Sequence, residues 1–118
     1  MSRTILIVDD HPTFRGMARA ILESGGYDVV GEAADGISAI EAAKTLRPDV
    51  ILLDVQLPDI DGFEVASLLT SQNGGSPAIV MTSSRDACDF GSLVEQSGAR
   101  GFIPKAELSA GALAALLE

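Results

Sequence analysis

The 118 residues contain no tryptophan, one cysteine and one histidine, and only 8 basic side chains against 17 acidic ones. With Cys88 alone, no internal disulfide and no thiolate zinc site can form. With His11 alone, no histidine-rich metal site can form either. The shortage of basic charge leaves a formal net charge of −9. Such a chain repels DNA and anionic membrane surfaces at long range, so no direct nucleic-acid or membrane binding through this domain is expected. The same charge suits a bound cation. No apolar run reaches the roughly 20 residues of a membrane span. No long apolar stretch with a small-residue cleavage site follows Met1-Ser2-Arg3-Thr4, so a signal peptide is not indicated and a reducing cytoplasm is the expected location. The length suits one ordinary domain, and 47% apolar residues are enough for a packed interior rather than a disordered tail.

What the chain does have is alternation. Short apolar runs take turns with longer amphipathic segments five times over. Ile5-Leu6-Ile7-Val8 reads as a strand buried on both faces and ends in Asp9-Asp10. From Pro12, apolar residues recur at Phe14, Met17, Ala18, Ile21 and Leu22, which is helical spacing, and Gly25-Gly26 stops it. Tyr27 to Ala33 predicts a second, weaker strand. Asp35-Gly36 opens a helix through Ile37, Ile40, Ala43 and Leu46, ended by Pro48. Val50-Ile51-Leu52-Leu53 is the third strand, closed by Asp54. A loop with Pro58 and Gly62 leads to a helix from about Phe63 to Gln72. Asn73 to Pro77 is a flexible connector too short to be a domain linker. Ala78-Ile79-Val80-Met81 is the fourth strand, ending on Thr82. A helix over Asp86 to Ser97 is closed by Gly98. Gly101-Phe102-Ile103 is a brief fifth strand with Lys105 just after it. Ser109 then reads as an N-cap, with Leu108 and Leu113 placed as a hydrophobic staple, and the last helix runs to the final residue. Five such βα units with buried strands predict an α/β domain, an open doubly wound parallel sheet with helices on both faces and the short fifth strand at an edge. In such sheets ligands bind outside the carboxyl ends of the strands.

The polar residues fall where that rule points. Asp9 and Asp10 end the first strand, Asp54 the third and Thr82 the fourth, while Lys105 follows the fifth. In a parallel sheet all these ends lie on one edge. Folding does not require three carboxylates there, since clustered acids repel and raise one another's pKa. A divalent cation resolves the repulsion, and a few hard oxygen ligands completed by water suit Mg²⁺. A carboxylate beside Mg²⁺, with an ammonium and a hydroxyl opposite, suits acceptance of a phosphoryl group as an aspartyl phosphate. Asp54, the lone acid on a central strand, is the best acceptor candidate.

At these residues the sequence resembles the receiver domain of two-component response regulators. The matching pieces are Ile7-Val8-Asp9-Asp10-His11-Pro12, Asp49-Val50-Ile51-Leu52-Leu53-Asp54 with Leu57-Pro58-Asp59-Ile60-Asp61-Gly62, Ile79-Val80-Met81-Thr82-Ser83, and Gly98-Ala99-Arg100-Gly101-Phe102-Ile103-Pro104-Lys105. Each piece alone is weak; all of them in order are specific, and the resemblance covers essentially the whole chain, read as one domain over 1–118. The resemblance implies a flavodoxin-like (βα)5 fold with strand order 2-1-3-4-5. It implies that Asp54 takes a phosphoryl group from a phosphohistidine on a sensor histidine kinase or a phosphotransfer protein. It implies that Asp10 binds Mg²⁺ directly, that Asp9 helps through water, and that the Gln56 carbonyl completes the protein ligands. Lys105 would pair with the acceptor and then with the phosphoryl group. Thr82 would hydrogen-bond a phosphoryl oxygen, and Phe102 would turn inward behind it as the switch, with homodimerisation as a possible consequence. The Asp-Asp-His-Pro opening resembles the subfamily in which a helix-turn-helix domain usually follows. No output domain is present in these residues, which leaves a stand-alone receiver or a piece of a longer protein.

Two features depart from the family. Ala106 stands after Lys105 where the family usually has proline, and a cis Lys105–Ala106 bond would cost roughly 3 kcal/mol; the sequence leaves open whether that bond is cis or the lysine loop is trans and differently set. Ser83 follows Thr82, so either could be the phosphoryl-binding hydroxyl, with the spacing from Pro77 favouring Thr82. The remaining residues have plainer readings. His11 is a loop residue leading into the first helix before it is a phospho-donor. Cys88 is a small helix-face residue. Leu113, Leu116 and Leu117 form a core stripe before a partner surface. Three alternatives stand beside the receiver: a small phosphatase with an aspartate nucleophile, a flavin-nucleotide binder, and a receiver-like interaction module that is never phosphorylated.

Overall fold

The computed structural model describes residues 3–70, 77–84 and 96–117. Its strands are β1 (Thr4–Val8), β2 (Asp28–Ala33), β3 (Val50–Asp54), β4 (Ala78–Ser83) and β5 (Gly101–Pro104). The helices are α1 (Pro12–Ser24), α2 (Gly36–Leu46), α3 (Gly62–Thr70) and, after a 3-10 turn at Lys105–Glu107, α4 (Ala110–Leu117). All strand pairs are parallel, and the order across the sheet is β2-β1-β3-β4-β5. This is the doubly wound order implied by the resemblance, with β5 at an edge as its brevity suggested. The predicted helix over 86–97 lies outside the described residues except at its end, where Gln96 is helical and Gly98 takes φ +86.

The central strands are apolar throughout because both faces of the sheet are covered. Successive side chains point to opposite faces, and each face has its own core. Ile5, Ile7, Val50, Leu52, Val80 and Ile103 pack with Phe14, Ala18 and Leu22 of α1 and with Leu113 and Leu117 of α4. Leu6, Val8, Ile51, Leu53, Ile79 and Met81 pack with Ala39 of α2 and with Val65, Ala66 and Leu69 of α3. The alternation continues past the apolar runs. Asp9, Asp54, Thr82 and Lys105 therefore fall in step with the first face, the one covered by α1 and α4.

Local sequence sets the helix ends. Pro12 sits in the first turn of α1, where its missing N–H costs nothing. The helix closes in a Schellman motif: Gly26 at φ +93 donates its N–H to the Glu23 carbonyl, and Tyr27 donates to Leu22. The predicted start of β2 at Tyr27 moves to Asp28 because Tyr27 is held in that motif. Asp35 caps α2 by accepting from the Ser38 N–H at 2.7 Å. Arg47 closes α2 at φ 46, one residue before Pro48. Ser109 accepts from the Ala112 N–H at 3.0 Å as the expected cap of α4, flanked by buried Leu108 and Leu113.

Candidate functional site

The carboxyl edge of the sheet brings Asp9, Asp54, Thr82 and Lys105 together. Asp54 is the last residue of β3 and is in register with Thr82 on β4. Asp9 follows β1 directly, and Lys105 follows β5. The Lys105 ammonium lies 2.6 Å from Asp9 Oδ2 and 3.3 Å from Asp54 Oδ2, so one cation spans both acids. It also rests over the Phe14 ring, 4.6 Å from the centroid. Asp9 is 0% exposed and Asp54 3%. The Asp54 carboxylate also accepts from the Gln56 N–H at 3.2 Å.

Burial costs the Asp54 carboxylate its hydration. It pushes its pKa above the ordinary carboxylate value, and the charge of Asp9 adds to the rise. The Lys105 charge and the Gln56 N–H oppose it.

Two buried oxygens in the site have no hydrogen-bond partner: Asp9 Oδ2 and Thr82 Oγ1. For Asp9 Oδ2 the Lys105 contact is an ion pair by distance, but its angles do not make a hydrogen bond. Buried oxygens are normally satisfied, so these two mark where a ligand would find acceptors and a donor. Thr82 shares the face of Asp54 and Lys105, whereas Ser83, also buried, is turned to the other face by the alternation.

Asp10 differs from its neighbour. Its side chain is 36% exposed, against 0% for Asp9. The adjacent acids thus divide into one that lines the interior and one that opens to solvent. Gln56 is exposed, and its N–H is the group that reaches Asp54. Phe102 is half-buried against the second core cluster and in register with Met81, while Thr82 is in register with Ile103. Phe102 thus precedes the register partner of Thr82 by one residue, with its ring on the other face of the sheet.

The donor set fits a hard cation. Asp9, Asp10, His11 and Asp54 each offer a ligand atom, and these atoms lie within 4.8 Å of one another. Three of the four are carboxylates, the chemistry that Mg²⁺ takes. Among the described residues no peptide bond is cis, so Lys105–Ala106 is trans.

Three further residues support this edge through contacts that the sequence did not show. His11 places Nδ1 3.0 Å from Asp9 Oδ1 and 3.1 Å from Asp10 Oδ1. Asp59 reaches across from the β3–α3 loop and accepts the Gly36 and Ile37 N–H groups at 2.8 and 2.9 Å, tying the loop after Asp54 to the start of α2. Gly62 lies so close to the Asp54 carbonyl that any Cβ would collide with it. The Leu57-to-Gly62 segment signalled a special loop, but the partners of Asp59 lie more than twenty residues away.

A doubly wound parallel sheet with an acidic site at the carboxyl ends of its strands defines the class, a flavodoxin-like domain. The response regulator receiver domain family matches residues 5–118, and the chain belongs to it.

A transcriptional regulator of Pseudomonas aeruginosa is 41% identical over 103 residues, 87% of this chain and 49% of the relative. The virulence transcription regulator BvgA of Bordetella pertussis is 35% identical over 107 residues, 91% of this chain and 51% of the relative. The chain thus spans about half the length of these curated relatives. Among solved structures, the signal receiver domain of the response regulator NarL from Mycobacterium tuberculosis superposes with TM-score 0.86 at 34% identity, covering 98% of this chain and 97% of that one. The BeF3-activated receiver domain of Klebsiella pneumoniae RstA gives 0.83 at 33% identity, covering 97% and 95%.

Proposed function

We propose that residues 1–118 form one receiver domain that works as a phosphoacceptor switch, with Asp54 as the acceptor and a sensor histidine kinase or phosphotransfer protein as the donor. The observation that carries the reading is the Lys105 ammonium spanning Asp9 and Asp54 beside the buried, partnerless Thr82 hydroxyl. An Asp54 oxygen attacks the phosphorus of the phosphohistidine, the P–N bond breaks, and the imidazole, already protonated on its other ring nitrogen, takes the bonding pair and leaves neutral. Lys105 neutralises charge on the transferred oxygens, and Thr82 donates its hydroxyl to one of them. Asp9, Asp10 and Asp54, with the Gln56 carbonyl, would hold Mg²⁺, which when bound supplies positive charge to the phosphoryl oxygens. The BeF3-activated relative supports the reading, since beryllofluoride imitates a phosphoryl group.

The chain is on this reading a signalling switch that promotes its own phosphorylation and hydrolysis, not an enzyme acting on a separate substrate. A relative in Hahella chejuensis is a protein-glutamate methylesterase/protein-glutamine glutaminase, of which this chain covers 29%. The output of such domains therefore varies from one protein to another. The transcription-regulator relatives support an output in gene expression, with DNA contacted by other residues than these. Among the described residues no helix is long and apolar enough to cross a membrane, and a kinase-borne donor suits the cytoplasm. Family membership speaks against the phosphatase and the flavin-nucleotide binder; the module that is never phosphorylated remains to be tested. The test is incubation with Mg²⁺ and acetyl phosphate followed by mass spectrometry of the intact and digested protein. A single labile adduct on Asp54, absent from Asp54→Asn, is expected. Stoichiometric labelling that survives the substitution, or no adduct in wild type, would overturn the reading.

A further inference from the structure

We propose that Phe14 is a positioning residue for the phosphoryl transfer, its ring holding the Lys105 ammonium at the acceptor. The proposal rests on the reading of Asp54 as the phosphoacceptor and adds to it a residue that acts through Lys105.

Phe14 lies in the first turn of α1 and heads the buried stripe that continues as Ala18 and Leu22. Those two are aliphatic and fully sealed, and Phe14 is the member nearest the carboxyl edge. Any apolar side chain of its size would serve the core there. The ring does something more. Lys105 Nζ stands over its face, 4.6 Å from the centroid, inside the roughly 6 Å reach of a cation–π contact.

The ammonium needs such a rest. A lysine head is a compact charge on a flexible four-carbon stem. Its other neighbours are the two acids, at 2.6 Å from Asp9 Oδ2 and 3.3 Å from Asp54 Oδ2. The Asp9 contact lacks hydrogen-bond angles, and the Asp54 contact is long for a hydrogen bond. The acids alone leave the head free to slide between them. The ring closes a third side. The Lys105 side chain is only 15% exposed, and a cation over a ring is held more firmly away from water than at a surface. The backbone of the lysine is tied to the same core, because its 3-10 turn ends on buried Leu108, which shares the cluster of Phe14.

For the transfer the gain is preorganisation. An ammonium already aimed and partly dried stabilises charge on the transferred oxygens without reorganising first. Being neutral, the ring offers no competing carboxylate, so the ammonium stays free to turn from the acids to the phosphoryl oxygens.

The test compares Phe14→Leu with wild type in Mg²⁺ and acetyl phosphate, where the P–O bond of the reagent breaks and acetate leaves. Leucine keeps the position apolar and removes the ring. The labelling rate of Asp54 should fall about tenfold, which is about 1.4 kcal/mol and within the range of a desolvated cation–π contact. The same substitution in a Lys105→Met chain should leave the residual rate unmoved, since the ring acts only through the ammonium. By NMR, the Lys105 ε-methylene protons should resonate upfield in wild type, shifted by the ring, and return to the ordinary lysine position in Phe14→Leu. Phe14→Tyr, which keeps the ring face, should retain the shift and most of the rate. An unchanged rate in Phe14→Leu, an equal fall in both backgrounds, or wild-type ε-methylene protons at the ordinary position would overturn the proposal while leaving the acceptor reading standing. No adduct in wild type would overturn both.

Discussion

Asp54 is held where a carboxylate is least comfortable, buried beside the charge of Asp9. Its folded pKa lies above the value of the unfolded chain, so the native state binds the proton more tightly. Stability linked to this group is therefore greatest below the unfolded value of 3.8 and is lost as pH rises through the raised folded pKa. Asp54→Asn keeps an acceptor for the Gln56 N–H and removes the charge. It should be more stable than wild type at pH 7, and the gap should narrow on acidification; equal urea midpoints at pH 7 would contradict this. Lys105 carries the opposite lesson. Its removal leaves Asp9 and Asp54 buried with no cation between them, and breaking such a pair costs about 3 kcal/mol. Lys105→Ala should show that loss in metal-free urea denaturation and recover part of it when Mg²⁺ is added. Sequence alone brought these residues to one edge because each ends a buried run. It did not show that Asp9 points in and Asp10 out, although the parity of Ile5, Ile7 and Asp9 was there to be followed.

Among the elements, those with caps written beside them were the legible ones. Gly25-Gly26, Asp35 and Ser109 sit where the chain needs a left-handed residue or a side-chain acceptor, and all three do that work in the fold. Asp35→Ala should cost about 1 kcal/mol through the lost cap on α2, read as a lower thermal midpoint; an unchanged midpoint would mean that Asp59 alone holds that end. The contacts of Asp59 and His11 were not legible, because they join segments that only the fold brings together or depend on the direction of a side chain. The proposed switch belongs to β4 and β5. Phosphorylation of Asp54 would add about −1.5 to −2 charges and three acceptor oxygens. Thr82 would move toward them, and Phe102, on the adjacent strand with its ring on the other face, would have to turn inward into the space behind it. The surface around β5 would then differ between states, which is all that a partner or a second copy of the chain needs to distinguish them. Thr82→Ala should still accept the phosphoryl group but leave the Phe102 ring resonances unmoved; a ring shift equal to wild type would remove Thr82 from the switch.

Taken whole, the molecule places a rigid apolar sheet beneath a polar edge whose charges do not balance without a cation. The alternation of βα units made the sheet readable, since a chain of this length has few other ways to cover five buried strands. An ion that binds only the folded edge stabilises all of it, by about 2.7 kcal/mol at a concentration one hundred times its Kd. Mg²⁺ should therefore raise the unfolding midpoint of wild type and do so much less in Asp10→Asn; equal shifts in both would detach Asp10 from the ion. On the proposed reading, Asp54, Thr82, Lys105 and Mg²⁺ together make a phosphoryl-binding site. Fluorine NMR with beryllofluoride tests it most directly. Wild type with Mg²⁺ should give bound fluoride resonances distinct from free beryllofluoride, and these should vanish without Mg²⁺ or in Asp54→Asn. Bound resonances that persist in Asp54→Asn, or that never form in wild type, would contradict the account.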